Sequence, residues 1–336
     1  MTITLNGTSG LAFNDGSTQN TAATGFGFKN RIINGAMVID QRNAGASVTL
    51  GAVGNLYTLD RYTWYTAQAS KLSTQQSSVT PTGFTKSMLV TSLSAYTPLS
   101  GDYFFVRQAI EGFNIADLAW GTANAATVTL SFWVRSSLTG TFGGQILSSD
   151  AAIAYVYSYV INSANTWEQK TITIVGPTTG TFNTNNTAGT FVSFTLSSAR
   201  TVASTGWQAL GTGADTVTGS VNLTATNGAT FYLTGVQLEK GSTATSFDVR
   251  PYGTELALCQ RYYAAGNYPI MRNFTGVTIG VSTSVTLPVT MRSTPTVTAS
   301  AGTVETVYAN VISSYQTGIT SGSSTSTSTY TSASEL

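Results

Sequence analysis

Whatever chemistry this chain performs must come from rings, hydroxyls and amides, because the usual reactive side chains are nearly missing. Its 336 residues include no His and one Cys, and 15 Lys and Arg set against 14 Asp and Glu leave a net charge of +1. Without His there is no Ser-His-Asp or Cys-His nucleophile, and the commonest zinc ligand is gone. A lone Cys259 excludes an intrachain disulfide, a thiolate cluster and a redox pair. Its apolar spacing with Leu256 and Tyr263 makes it a packing residue. Glycoside hydrolysis is the reaction left to weigh, and it needs two carboxylates about 5–9.5 Å apart. The acids are scattered without local pairing. Several sit beside a base, as in Asp40 with Arg42, Asp60 with Arg61 and Asp248 with Arg250, and read as partly buried ion pairs.

Sugar binding asks for aromatic faces to meet the C–H faces of pyranose rings, with polar groups beside them for the hydroxyls. Aromatics make up 11% of the chain, so supply does not limit this reading. Trp133 and Arg135 share the polar side of an alternating segment. Tyr155, Tyr157 and Tyr159 share one side of another, with Ala154, Val156, Ser158 and Val160 opposite, and suit either a sugar platform or a subunit interface. Tyr62 and Trp64 follow the Asp60–Arg61 pair. These seven are the candidate ligand contacts, whereas Trp167 and Trp207 read as rings at the edge of a core. No catalytic, cofactor or metal residue is expected.

Charged residues are 9% of the chain, against about 25% in an average soluble domain. So neutral a chain lacks the field that nucleic-acid binding requires. No apolar run approaches the ~18 residues of a membrane span. The opening residues lack the basic start and apolar stretch of a secretory signal, giving the expectation of a protein made in a cytoplasm and not exported by that route.

The elements that must position these side chains are almost all strands. Val128, Leu130, Phe132 and Val134 alternate with Thr129, Ser131, Trp133 and Arg135. Residues 171–174, 191–196, 220–223 and 230–238 repeat the pattern, with Gly235 placed to mark a bulge. Short β-branched strands between Gly, Asn and Ser turns predict an all-β, antiparallel jelly-roll sandwich. Two short helices are expected. One, at 114–121, has Asn114 as N-cap, Asp117 in capping-box position and Gly121 at its end. The other covers 254–263. Gly25/Gly27 and Gly211/Gly213 are not phosphate loops. The chain divides into an N-terminal fibre or attachment segment (1–28), the sandwich (29–250), a helical linker (251–263) and a small C-terminal β-module (264–336). The last ends in the Ser/Thr run 321–334. That run predicts either a disordered linker or strands packed on identical strands of neighbouring chains.

Several stretches occur together in a recognisable order: NRIINGAMVIDQR at 30–42, YTLDR at 57–61, QAIEG at 108–112 and LSFWVRS at 130–136. TWEQK at 166–170, LTGVQLE at 233–239 and ELALCQRYY at 255–263 follow. The set resembles a domain of bacteriophage tail-fibre and tail-associated proteins, and GTSGLAFNDGSTQ at 7–19 is similar to phage-fibre N-termini. The resemblance implies a jelly-roll related to carbohydrate-binding modules, carried on a homotrimeric fibre in the virion. It implies contact with the host surface and no enzymatic activity, and leaves the ligand open; the expected partners are a phage tail or baseplate protein, through 1–28, and a host cell-surface glycan. Modules of this type often hold structural Ca²⁺ with carboxylates beside the first strand and in the last. Here Ala36, Val38, Thr234 and Gly235 stand in those places, so no metal is expected. Trimer formation would also cover exposed strand edges, which this low-charge chain has few means to protect. A purely structural virion component is the rival reading, and a polysaccharide depolymerase the lesser one.

Overall fold

The protein is described by a computed structural model. It covers residues 29–336 apart from 53, 55, 211–212, 271–278, 300–302 and 320–325, together with the backbone of three short paired strands at Thr4–Asn6, Gly10–Ala12 and Thr18–Gln19. The rest of 1–28, where the attachment segment was expected, lies outside the described residues.

Two antiparallel sheets face each other as a jelly-roll sandwich. The six-stranded sheet runs in the order Glu168–Ile174, Val128–Ser136, Thr230–Lys240, Ser87–Ser92, Leu72–Ser77, Val48–Thr49. The seven-stranded sheet runs Gly206–Ala209, Ile153–Ile161, Gly140–Ser148, Ala188–Ser198, Tyr103–Glu111, Thr63–Thr66, Leu56–Tyr57. The alternation in the Val128–Ser136 strand sets the inner face, since Val128, Leu130, Phe132 and Val134 are all fully buried. Phe132 meets Tyr159 and Phe194 edge-on, at 5.0 Å between ring centroids in both cases. Such pairs add about 0.5–1.5 kcal/mol beyond the area they bury.

Gly235 does mark a bulge. Ser131 pairs with Gln237 but Trp133 pairs with Thr234, so two residues of one strand oppose the single Phe132. Gly235 sits at φ +62°, which glycine adopts without the cost other residues bear. The bulge also frees Val236 to donate to the Gly35 carbonyl and accept from the Asn30 side chain. The loop before the first strand is thereby fastened to the sheet.

Three expected elements differ. Residues 114–121 form no α-helix; two 3-10 turns, Gly112–Asn114 and Ala116–Leu118, stand there. Asp117 is drawn away from capping by a two-pronged bond to Arg31 at 2.6 and 2.8 Å. Residues 220–223 are not a strand. Asn222 accepts the Ser198 amide, and fully buried Leu223 opens a 3-10 turn. The second helix is Tyr252–Gln260, and Tyr263 already begins a strand.

Beyond the helix lie two three-stranded sheets. One has Ser326–Ala333 at its centre, between Tyr263–Ile270 and Thr296–Ala299. The described part of the Ser/Thr run is therefore not a loose linker: Ser326–Ala333 is a strand paired along its length with Tyr263–Ile270 and, over Tyr330–Ala333, also with Thr296–Ala299. The other sheet contains Ile279–Thr286, Val311–Ile319 and Thr303–Val307. Leu287, Met291, Ile312 and Tyr330 form the core here.

The last described residues lie against the sandwich. Leu336 packs on a cluster of Ile33, Ile39, Cys259 and Tyr262. Glu335 is held between Arg42, at 2.7 Å, and Arg61. Neither sequence-adjacent pair forms here. Asp40 instead accepts the Asn43 and Gly45 amides, and Asp60 accepts from Gln41. Arg61 has φ +72°, which turns it away from Asp60. Asp248 and Arg250 do approach, to 4.0 Å.

Candidate functional site

The outer face of the six-stranded sheet gathers the polar and aromatic groups that sugar binding requires. Period-two alternation puts Trp133 and Arg135 there, and register places Trp133 beside Thr234 and Gln169, with Arg135 opposite Tyr232. The Arg135 Nε donates to the Asn165 carbonyl at 2.8 Å, and its guanidinium lies 5.0 Å above the Tyr232 ring. Trp167 meets that same ring edge-on at 6.0 Å. Trp133 and Trp167 are both half-buried, so part of each ring is open to solvent, while Gln169, Thr171 and Thr173 are exposed along the neighbouring strand.

The bulge fixes Trp133. A Cβ at Gly235 would come within 3.0 Å of the Trp133 ring and 2.7 Å of the Phe84 ring. The bare glycine lets both rings close over it. Phe84 in turn meets Phe247 at 5.1 Å. The arrangement offers two indole rings, a guanidinium tethered by its own hydrogen bond, and a row of hydroxyl and amide groups. It can stack on apolar sugar faces and bond to hydroxyls without forming or breaking a covalent bond.

The other candidates do not join this face. Tyr62 and Trp64 are 1% exposed; the Trp64 indole donates to the Thr58 hydroxyl at 3.0 Å. Tyr157 and Tyr159 point into the sandwich, and Tyr157 donates to the Ser193 carbonyl at 2.7 Å. Burial pushes both phenols well above their usual range. Burial removes these four from any surface that could meet a glycan or another subunit. Tyr155 is half-buried behind Trp207, at 5.6 Å. The ladder was rightly placed on one side of its strand. Which side faced inward was ambiguous, because Ala154 and Val156 opposite are also fully buried.

Trp167, read from the sequence as a ring at the edge of a core, joins the candidates on this face. Its signal was available: it lies two positions from Gln169, which pairs with Trp133, so both rings belong to one face once the register is known.

Several of the described acids are engaged in structural bonds. Asp215 takes two bonds from Arg200 at 2.7 and 2.8 Å. Glu111 accepts from Arg261 at 2.7 Å and from Tyr262 at 2.6 Å. Burial alone would raise the Glu111 pKa, but these bonds outweigh it and hold it below the ordinary carboxylate value. Among the described residues, no three or more Asp, Glu or Cys side chains come together as metal ligands. Ala36 and Val38 line a small hollow with Phe84, Phe247 and the Arg250–Glu255 pair.

No family model and no curated protein matches the chain. Solved structures do. The enzymatically active domain of tailspike protein 4 from bacteriophage CBA120 is 12% identical with a TM-score of 0.33, over 63% of this chain and 21% of that one. The family 11 carbohydrate-binding module of the Clostridium thermocellum cellulase Lic26A-Cel5E is 14% identical with a TM-score of 0.30, over 60% and 99%. The CBM22-1 xylan-binding domain from Paenibacillus barcinonensis Xyn10C is 9% identical with a TM-score of 0.27, over 60% and 99%. The chain thus spans about a fifth of the tailspike domain it matches. Likeness at these scores carries no argument about function.

Proposed function

We propose that this protein is the non-enzymatic, host-recognising part of a bacteriophage tail fibre. In this reading it is a homotrimer in the virion, joined to the tail or baseplate through residues 1–28. It binds a cell-surface glycan on the outer face of the six-stranded sheet. The observation that carries the reading is the meeting of half-buried Trp133, Arg135 and Trp167 on one face, with Arg135 and Trp167 both packed on the buried Tyr232 ring. Such a site binds one sugar weakly, and repetition over three subunits and several fibres supplies avidity. A surface poor in charge suits this task, because it avoids indiscriminate attraction to an anionic envelope.

The test uses the full chain, with its mass in solution measured first. Its binding to host cells is compared before and after periodate oxidation of their glycans, alongside Trp133→Ala and Trp167→Ala. Loss of binding with periodate, and at least a ten-fold loss in each variant, is the expected result; about 1.4 kcal/mol corresponds to ten-fold. Periodate-resistant binding means a protein receptor. A well-folded trimer that binds nothing is a structural virion component, and release of reducing ends from host polysaccharide would make it a depolymerase.

A further inference from the structure

A groove of about 360–430 Å³ scale is found at more than one place on the described surface, and the one of about 430 Å³ has an unusual lining. It lies at the edge of the seven-stranded sheet, where, among the described residues, Gly206–Ala209 pairs only with Ile153–Ile161. Its walls are Trp207 and Gln208 from that edge strand, with Val175, Pro177, Thr178 and Thr179 from the loop after Ile174. None of the described residues that line it is charged.

Both walls are fixed. Trp207 is braced edge-on by Trp120 at 5.9 Å, Phe182 at 6.1 Å and Tyr155 at 5.6 Å. Its indole N–H donates to the Val175 carbonyl at 2.7 Å, tying ring to loop. The loop is pinned again where the Gly121 amide donates to the Pro177 carbonyl at 2.8 Å. At its far end the Ser149 amide donates to the Thr181 carbonyl at 2.9 Å. Thr178 and Thr179, between those pins, are exposed, and Trp207 and Gln208 are half-buried. The held ring loses little conformational freedom when a ligand arrives, and beside it stand the exposed Thr178 and Thr179 hydroxyls and the Gln208 amide, which donates to the Ser204 carbonyl at 3.4 Å.

We propose that this groove is a second binding site, for the ring of an uncharged saccharide. The sugar's C–H face lies on Trp207, and its hydroxyls bond to Thr178, Thr179 and Gln208. The absence of charge sets it apart from the face with Arg135. The proposal shares with the preceding reading the idea that the chain binds glycans, but it does not need the Trp133 face.

The five Trp residues allow the two sites to be read separately. The full chain is labelled with 5-fluorotryptophan, and its fluorine resonances are assigned by single Trp→Phe variants. It is then titrated to millimolar concentration with neutral hexasaccharides of β-1,4-glucan, α-1,4-glucan, β-1,4-xylan and β-1,4-mannan. The expected result is a saturable shift of the Trp207 resonance whose affinity is unchanged by added salt. In the Thr178→Ala/Thr179→Ala variant the affinity falls by at least about five-fold, as two lost hydrogen bonds require. These residues lie on an exposed loop, and the other four resonances report that the fold survives. No Trp207 shift with any of the four sugars overturns the proposal, and so does an affinity unaffected by the double substitution. A shift at Trp133 without one at Trp207 overturns the groove and leaves the sheet-face reading standing. A shift at Trp207 alone supports the groove and counts against the sheet face.

Discussion

The Glu168 carboxylate accepts bonds from the Asn162 and Ser163 amides at 2.8 and 2.9 Å, from the Asn162 side chain at 3.0 Å and from Lys170 at 2.6 Å. Burial alone would raise its pKa, but those bonds outweigh burial and bring it from an ordinary 4.5 to about 2. A depressed carboxylate stabilises the fold fully above its unfolded pKa, and the contribution is lost as pH falls through the folded one. Glu168→Gln should therefore cost on the order of 1 kcal/mol at pH 6. Urea titrations should show the gap narrowing below pH 4.5 and closing near pH 2; a gap that stays constant would mean the charge is not what holds this turn. Since Trp167 precedes Glu168, the same substitution should loosen one ring of the sheet face. This is also the scale at which sequence was least informative. Asp60 and Arg61 are neighbours, yet the carboxylate that meets Arg61 belongs to a residue 274 positions away. Adjacency brings two charges close along the chain, but the backbone angle decides where each points.

The bulged strand Thr230–Lys240 links architecture to site. Gly235→Ala adds a methyl at φ +62° and drives it into the Phe84 and Trp133 rings. The expected cost is about 1–3 kcal/mol, seen as a lower urea midpoint, together with a changed Trp133 fluorescence. A variant with wild-type stability and spectrum would show that the strand does not need this kink. Elements of this kind were legible beforehand. The period-two pattern over 128–135 gave the buried face residue by residue, and a lone glycine in an apolar strand gave the bulge. The 220–223 segment misled because four residues of alternation are matched equally well by one deeply buried side chain in a turn. The tyrosine ladder misled because both sides of its strand are covered, and alternation marks two faces without saying which is the core.

Across the whole molecule, the C-terminal sheets and the sandwich are joined through a buried charge. Burial alone would lower the Arg61 pKa, but Glu335, with smaller help from Tyr262, Tyr57 and Cys259, more than reverses this and leaves it above its ordinary value. Arg61 also stacks 3.5 Å from the centre of the Tyr262 ring and donates to the Ala109 carbonyl at 2.7 Å. Glu335→Gln leaves that guanidinium without its counter-charge and should cost about 3 kcal/mol. Cys259 supplies a local readout, because it is fully buried and its thiol is pushed far up by that burial. Iodoacetamide should label it slowly in the parent protein and markedly faster in the variant; equal rates would mean that Glu335 does not hold this region closed. The central position of Ser326–Ala333 also bears on synthesis. The strand at Tyr263–Ile270 leaves the ribosome about sixty residues before its partner. At ordinary translation rates it waits on the order of 3–13 s with that edge unsatisfied. During that interval a finished neighbour's copy of the same segment can take the vacant place, so crowding of nascent chains on one message favours exchange of this strand between them.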